Sequence, residues 1–228
     1  MSGWDPARIA PADDDIVSCV ACGLCLPHCP TFRLTGRETA SPRGRIAAMH
    51  AVAEGHAEVD ASFRTMMDEC LACRACEAAC PSGVPFGRMV EAARAQAEPG
   101  RAAPARWLRR AGLAWALPRR RAVVALGVLT GLARALRIDR LAPASVRSSI
   151  PPVGLRELAR PIPREMGSGP RAAVLGGCVM DVAFRGVQRA TMRVVAEAGY
   201  RAERPPRAGG CCGALAMHHG HPEAARRM

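Results

Sequence analysis

Apolar and polar positions follow three different patterns along the 228 residues. The run SPRGRIAAMHAVAEGHAEVDASFRTMMDEC, Ser41 to Cys70, has helical spacing and no two-residue alternation. Ser41 can cap, Pro42 suits the first helical turn, Ile46, Met49, His50 and Ala53 share one face, and Gly55 is the stop. A second helix is predicted from Ala61 towards Cys70, with Phe63, Met66 and Met67 pointing inward. Between residues 101 and 170 the text becomes RWLRRAGLAWALPRRR and then AVVALGVLTGLARALR. Its longest apolar run, Ala122 to Ala133, falls short of the roughly 20 residues that cross a bilayer. One reading is one or two amphipathic helices packed on the protein. The other is a basic helix lying on an acidic membrane surface, with Trp107 and Trp115 as interfacial anchors. IPPVGLRELARPIPREMGSGP reads as linker. In the last zone Ala172–Leu175 is a short strand, and a helix runs from about Asp181 to Ala198. Val182, Val187, Ala190, Val194 and Val195 are its apolar side, and Gly199 its C-cap; YRAER is a second strand. Strand, helix, strand opens an α/β unit. The predicted organisation is a helical domain over 1–100, a basic Arg/Pro-rich helical linker over 101–170 and a partial α/β domain over 171–228.

Composition sharpens this. Hydrophobic residues are 49% and aromatics 4%, so the core is aliphatic. All 32 basic residues are Arg. Net charge is −4 over 1–100, +12 over 101–171 and +4 over 172–228, so the +12 total belongs to the middle segment. That argues for a basic connector and against nucleic acid as a partner. Eleven cysteines cannot all pair as disulfides, and the N-terminus does not read as a secretory signal. Clustered cysteines without a signal point to metal ligands in a reducing, cytoplasmic setting.

Eight of those cysteines fall in two matching runs. CVACGLCLPHCP holds Cys19, Cys22, Cys25 and Cys29; CLACRACEAACP holds Cys70, Cys73, Cys76 and Cys80, an offset of 51 residues. Three thiolates three residues apart wrap one face of an iron–sulfur cubane. The fourth, before Pro30 or Pro81, points away and ligates the other cluster in two-cluster proteins. The predicted sets are therefore Cys19, Cys22, Cys25 and Cys80 for one [4Fe–4S] cluster, and Cys70, Cys73, Cys76 and Cys29 for the second. Zinc is the alternative, but zinc sites show pairs of C-x-x-C rather than runs of four closed by proline. Small residues at Gly23, Ala72 and Ala75 let backbone amides approach cluster sulfides. His28 is read as solvent-facing or hydrogen-bonded near a cluster. Arg33, Arg37, Arg43 and Arg45 either raise a cluster potential or form a solvated face.

Cys178, Cys211 and Cys212 remain. Gly209, Gly210 and Gly213 flank the adjacent pair, so the chain can turn tightly there. The three thiols are either additional metal or cofactor ligands or small buried hydrophobes. His218, His219 and His221 follow, as surface or supporting histidines or as direct ligands.

CVACGLCLPHCPTFRLTGRETASPRGRI, CLACRACEAACPSGVPFGRMVE, LGGCVMD and AGGCCGALAMHHG together resemble the iron–sulfur subunits of glycolate oxidase (glycolate dehydrogenase), from Asp13 to Met228. The resemblance implies a helical two-cluster ferredoxin-like domain followed by a CCG-type cysteine-rich domain. Cys178, Cys211, Cys212 and Gly213 match the start of that module, and its closing cysteines and second copy are expected beyond residue 228, so the chain reads as C-terminally truncated. Related subunits serve lactate and glycerol-3-phosphate oxidation and heterodisulfide reduction; these are the alternative readings. No G-x-G-x-x-G follows a strand, so no flavin is expected on this chain. The resemblance implies an oxidoreductase subunit that takes electrons from an FAD-binding partner converting glycolate to glyoxylate. It would pass them to a quinone-type acceptor, in the cytoplasm or peripherally at the inner face of the cytoplasmic membrane.

Overall fold

The computed structural model describes residues 3–144, 147, 153–205 and 210–228. The chain forms two compact units, Met1–Arg110 with Ala214–Arg226, and Ala111–Gly213 with Arg227–Met228.

The first unit is helical. Its elements are α1 (Asp13–Val17), α2 (Pro30–Thr35), α3 (Pro42–Ala53), α4 (Ala61–Asp68), α5 (Ala75–Ala78), α6 (Phe86–Ala97) and α7 (Ala103–Arg110). Two further short helices, α12 (Ala214–His218) and α13 (Pro222–Arg226), join it from the end of the chain. Ser41 caps α3 by accepting from the Gly44 amide at 2.8 Å, and Asp60 caps α4 through Phe63 at 2.7 Å. The core gathers Ile16, Ile46, Met49, Val52, Phe63, Met67, Phe86, Met89, Val90 and Ala93. It is aliphatic and sulfur-rich, as the composition requires. The buried face of α3 is Arg45, Ile46, Met49 and Val52. His50 and Ala53, expected inward, are only half-buried, and His50 lies 3.3 Å from Glu54. The seam over twelve residues drifts towards Val52 because 3.6 residues per turn favours the 45/49/52 diagonal. Gly220, at φ 77°, lies where a Cβ would meet the α6 backbone at Arg94 and Ala95 within 2.7 Å, so only glycine lets the α12–α13 turn sit this close.

The second unit contains a π-helical turn (Ala111–Ala116), α8 (Arg120–Ala135), α9 (Leu155–Ala159), β1 (Glu165–Met166), β2 (Arg171–Ala173), α10 (Met180–Ala183), α11 (Arg185–Glu197) and β3 (Arg201–Glu203). The sheet order is β1-β3-β2. β2 runs parallel to β3 with Ala172 opposite Ala202, and β1 is antiparallel with Met166 opposite Ala202. The predicted α/β unit is therefore present. Three details differ from the sequence reading. The region read as linker supplies α9 and β1, since a two-residue edge strand has no periodicity of its own; the start of that stretch lies outside the described residues. The single helix over 181–198 is two, broken at Phe184. The inward residues of α11 are Gln188 and Met192, while Val187 and Val194 are exposed.

Helix α8 packs by a glycine-lined face. Val123, Gly127 and Gly131 are buried four residues apart, and Val153, Leu155, Leu158 and Val182 fill the groove. Its other side leaves Leu126, Leu129 and Leu136 exposed. A Cβ on Gly127 would collide with Val182, and one on Gly131 would meet Leu155 at 2.8 Å. Gly127→Val is expected to lower the stability of this unit by about 1–3 kcal/mol, read as a drop in urea midpoint of the full chain.

Candidate metal centres

The two cysteine runs share left-handed turns at matching positions. Ala21 and Ala72 both lie at φ 54°, and Gly23 and Arg74, again 51 positions apart, lie at φ 83° and 57°. A left-handed conformation is unfavourable for Ala and Arg by about 1–2 kcal/mol each. Its recurrence at equivalent positions shows that the two loops use the same left-handed turns. The Ala72 amide points at Cys70 Sγ at 3.4 Å. Arg74 tolerates the position by laying its guanidinium over Gly87 and reaching Glu91 at 3.5 Å.

Each loop faces a cavity. The first, about 440 Å³ with its open mouth, is lined by Cys19, Cys22, Cys25 and Cys80, with Ile46 and Phe86 among its apolar walls. The second, about 300 Å³, is lined by Cys29, Cys70, Cys73 and Cys76, with His28 at its rim. Cys76 borders both. Among the described residues, no three His, Cys, Asp or Glu side chains converge as a single ion requires. The thiols instead line chambers, and an all-thiol donor set around an apolar space fits an iron–sulfur cluster better than a zinc ion.

Thiol ionisation differs around these chambers. Burial, with the nearby Cys70 and Cys25 thiols, pushes Cys76 up to about 12. Burial likewise raises Cys25. Burial also opposes ionisation of Cys29, but it is outweighed by hydrogen bonds from Thr31 and Phe32 and by the Arg45 charge, so the net shift is down. Iron binding must therefore displace protons, most of all at Cys76.

The arginines after the first run divide. Arg45 is fully buried; its Nε donates to the Met66 carbonyl at 2.7 Å and its Nη1 to the Ala40 carbonyl at 2.8 Å. It also touches Thr31 Oγ1 at 3.4 Å, and that hydroxyl lies 3.2 Å from Cys29 Sγ. A solvated face is thus wrong for Arg45. Arg43 reaches Glu38 at 2.7 Å and the Ala21 carbonyl at 3.3 Å, beside the first loop. Arg37 pairs with Glu69 at 2.9 Å on the surface. Sequence reasoning missed Arg94. It is buried and donates to the carbonyls of Met67, Cys70 and His218. An Arg amid the buried alanines of α6 carries no periodic mark that separates it from a surface arginine.

The three histidines each lie beside a protein side chain, His218 and His219 within hydrogen-bond reach. His218 Nδ1 lies 2.7 Å from Glu91, His221 Nε2 3.4 Å from Glu98, and Arg109 donates to His219 Nδ1 at 3.1 Å. In the second unit, Cys178 Sγ and Cys211 Sγ are 3.8 Å apart, Cys212 is exposed, and Gly213 turns at φ 77°; Gly209 lies outside the described residues. Burial, then the adjacent Cys211, pushes Cys178 up to about 11.

Residues 15–84 match the 4Fe-4S dicluster domain, and residues 172–228 the cysteine-rich domain named CCG. The chain is 35% identical to the "Probable glycolate oxidase iron-sulfur subunit" of Bacillus subtilis (strain 168), over 95% of this chain and 53% of that protein. It is also 35% identical to the "Glycolate oxidase iron-sulfur subunit" of Escherichia coli (strain K12), over 93% of this chain and 50% of the relative. The likeness to glycolate oxidase iron–sulfur subunits is borne out. The chain spans about half the length of these curated relatives. The expected architecture, a helical dicluster domain followed by a CCG-type α/β domain, is likewise present. No solved structure matches.

Two outcomes follow from the packing around these centres. Arg45→Met strands the carbonyls of Ala40 and Met66 and is expected to cost about 3 kcal/mol in denaturant unfolding; Arg45→Lys, with one compact charge, recovers only part. His219 is pushed down to about 4, first by burial and then by Arg109 and Arg94. Between its ordinary value of 6.5 and 4, the unfolded chain binds a proton that the folded chain refuses. Stability is therefore full above pH 6.5 and falls as pH drops towards 4. His219→Gln should flatten that part of the urea-midpoint profile.

Proposed function

We propose that this chain is the electron-transfer subunit of a glycolate-oxidising complex. It would take electrons from an FAD-binding partner that converts glycolate to glyoxylate and deliver them to a quinone-type acceptor. Cys19, Cys22, Cys25 and Cys80 hold one [4Fe–4S] cluster; Cys70, Cys73, Cys76 and Cys29 hold the second. The observation that supports this reading is the crossed lining of the two cavities: Cys80 joins Cys19, Cys22 and Cys25 at the first, which Cys76 also borders, and Cys29 joins Cys70, Cys73 and Cys76 at the second. When bound, such clusters accept and release single electrons. The chain's own residues set the surroundings. Arg43 and Arg45 place positive charge beside the first loop and beside Cys29. Ile46, Pro42 and Phe86 keep water from the chamber walls. The names of the two relatives supply the substrate, and the catalytic carbon chemistry belongs to the partner.

The chain works in the cytoplasm, peripherally at the inner face of the membrane. No helix among the described residues is long and apolar enough to cross a bilayer. The exposed Leu126, Leu129 and Leu136, with Arg120, Arg121 and Arg134 at the ends of the same helix, supply the apolar and basic groups that such a surface takes up.

Protein purified without oxygen should carry about eight irons and about eight acid-labile sulfides per chain. Cys22→Ser and Cys80→Ser should alter one EPR signal, and Cys73→Ser and Cys29→Ser the other. In the complex, Cys22→Ser or Cys73→Ser should stop acceptor reduction while substrate still reduces the flavin. Pairing of Cys29→Ser with Cys22→Ser would overturn the crossed assignment. Turnover surviving both changes would overturn the relay.

A further inference from the structure

The positive charges beside the two chambers differ in burial and in partners. At the first, Arg43 donates to the Ala21 carbonyl at 3.3 Å, but its charge is paired with Glu38 through bonds of 2.7 and 3.0 Å. About a third of that side chain, 34%, is open to solvent. At the second, Arg45 is 0% exposed and Arg94 6%. Arg45 donates to the carbonyls of Met66 and Ala40, and Arg94 to those of Met67, His218 and Cys70. Among the described residues neither forms an ion pair with a carboxylate. Asp68 meets Arg94 through its carbonyl, at 3.4 Å, and gives its carboxylate to Arg101 at 2.6 Å. A carbonyl satisfies a guanidinium donor without cancelling its net charge. Two whole positive charges therefore stand inside the unit, Arg45 acting on Cys29 and Arg94 on Cys70. Arg74, which also lines the second chamber, is half-exposed and lies 3.5 Å from Glu91, so it counts for less. Glu77 acts on Cys76, which borders both chambers, and so does not distinguish them. Thr31 adds a dipole. Its hydroxyl and Arg45 Nη1 both reach the Ala40 carbonyl, at 2.7 and 2.8 Å, and the hydroxyl lies 3.2 Å from Cys29 Sγ. Its hydrogen can turn to that sulfur once the thiol has lost its proton.

Resting on the two-cluster assignment proposed above, we infer that the cluster held by Cys70, Cys73, Cys76 and Cys29 has the higher reduction potential of the two, and that Arg45 and Arg94 set it there. Each cluster takes up one electron, which makes it more negative by one charge. A buried, unpaired cation stabilises that added charge more than a solvated, paired one, because the interior screens weakly. A hydroxyl donated to a ligating sulfur acts in the same direction. The first electron delivered to the chain therefore rests on the second cluster, and the first cluster fills with the next. Arg45 and Arg94 are positioning residues here, acting through Cys29 and Cys70.

The test is a potentiometric titration of the full chain without oxygen, read by EPR, with iron and sulfide counted on the same samples. On stepwise reduction the signal that Cys73→Ser alters should appear first. The signal that Cys22→Ser alters should follow, with an equilibrium constant for reduction at least about tenfold smaller, or about 59 mV for one electron. Arg94→Gln should lower the first-appearing midpoint by about the same tenfold and leave the other in place. Arg94→Lys keeps the charge and loses the fork, so it should restore most of the shift; a merely structural role would make Lys and Gln alike. Thr31→Val, close in shape to the original, should move the same midpoint down by a smaller amount, and it carries the test if Arg94→Gln fails to assemble. The Cys22-dependent signal appearing first, or both signals together, would overturn the inference. So would equal shifts of both midpoints in Arg94→Gln, or no shift in either Arg94→Gln or Thr31→Val. With about eight irons and separate Cys22 and Cys73 signals, those results leave the two-cluster reading standing; an iron count far from eight overturns both.

Discussion

Two buried guanidinium groups organise the ground on which the second cysteine run stands. Helix α4 ends at Asp68, two residues before Cys70, and its last carbonyls have no partner within the helix. Arg45 takes the carbonyl of Met66, and Arg94 takes those of Met67 and Cys70. Arg45 at the same time holds Ala40 and approaches Thr31, whose hydroxyl meets Cys29. One side chain therefore ties together the starting point of the second run and the one cysteine of the first run that faces the second chamber. Lysine could not do this, because a single ammonium does not span several divergent carbonyls with planar donors.

This arrangement explains how a sequence repeat becomes a crossed pair of chambers. The two loops share their left-handed residues at matching positions. Each loop alone encloses only three thiols. The fourth comes from the far end of the other loop, where Pro30 and Pro81 turn the chain away. Cys76 borders both chambers, and burial with the nearby Cys70 and Cys25 thiols pushes it up to about 12. Each chamber draws lining thiols from both runs, so this lining forms only when the first unit is folded. On the proposed ligand assignment, metal binding and folding would be coupled in this unit.

The second unit is built on different physics. Its three short strands supply few hydrogen bonds, and its buried cluster is small: Val174, Met192 and Ala202. Close approach at Gly127 and Gly131 lets α8 add apolar contact that short strands cannot provide. Paired charges reinforce it, with Arg204 on buried Asp181 at 2.6 Å and Arg171 on Glu203 at 2.7 Å. Within this unit the sheet places Cys178 and the turn places Cys211, so two residues remote in sequence become neighbours.

Much of this was written in the sequence. The eight N-terminal cysteines, their spacing and the closing prolines are local signals, because ligand wrapping depends on loop length and not on distant contacts. Capping by Ser41, and the strand–helix–strand order after Arg171, are local for the same reason. What the tertiary structure decided is what local pattern cannot carry. Arginine has one composition whether solvated or buried, so the roles of Arg45 and Arg94 follow only from which carbonyls the fold leaves bare. His218, His219 and His221 look like a ligand cluster in the text, and come to lie beside Glu91, Arg109 and Glu98 once α12 meets α6. Strand β1 exists only because β3 offers an edge, and Cys178 lies beside Cys211 only because two turns meet.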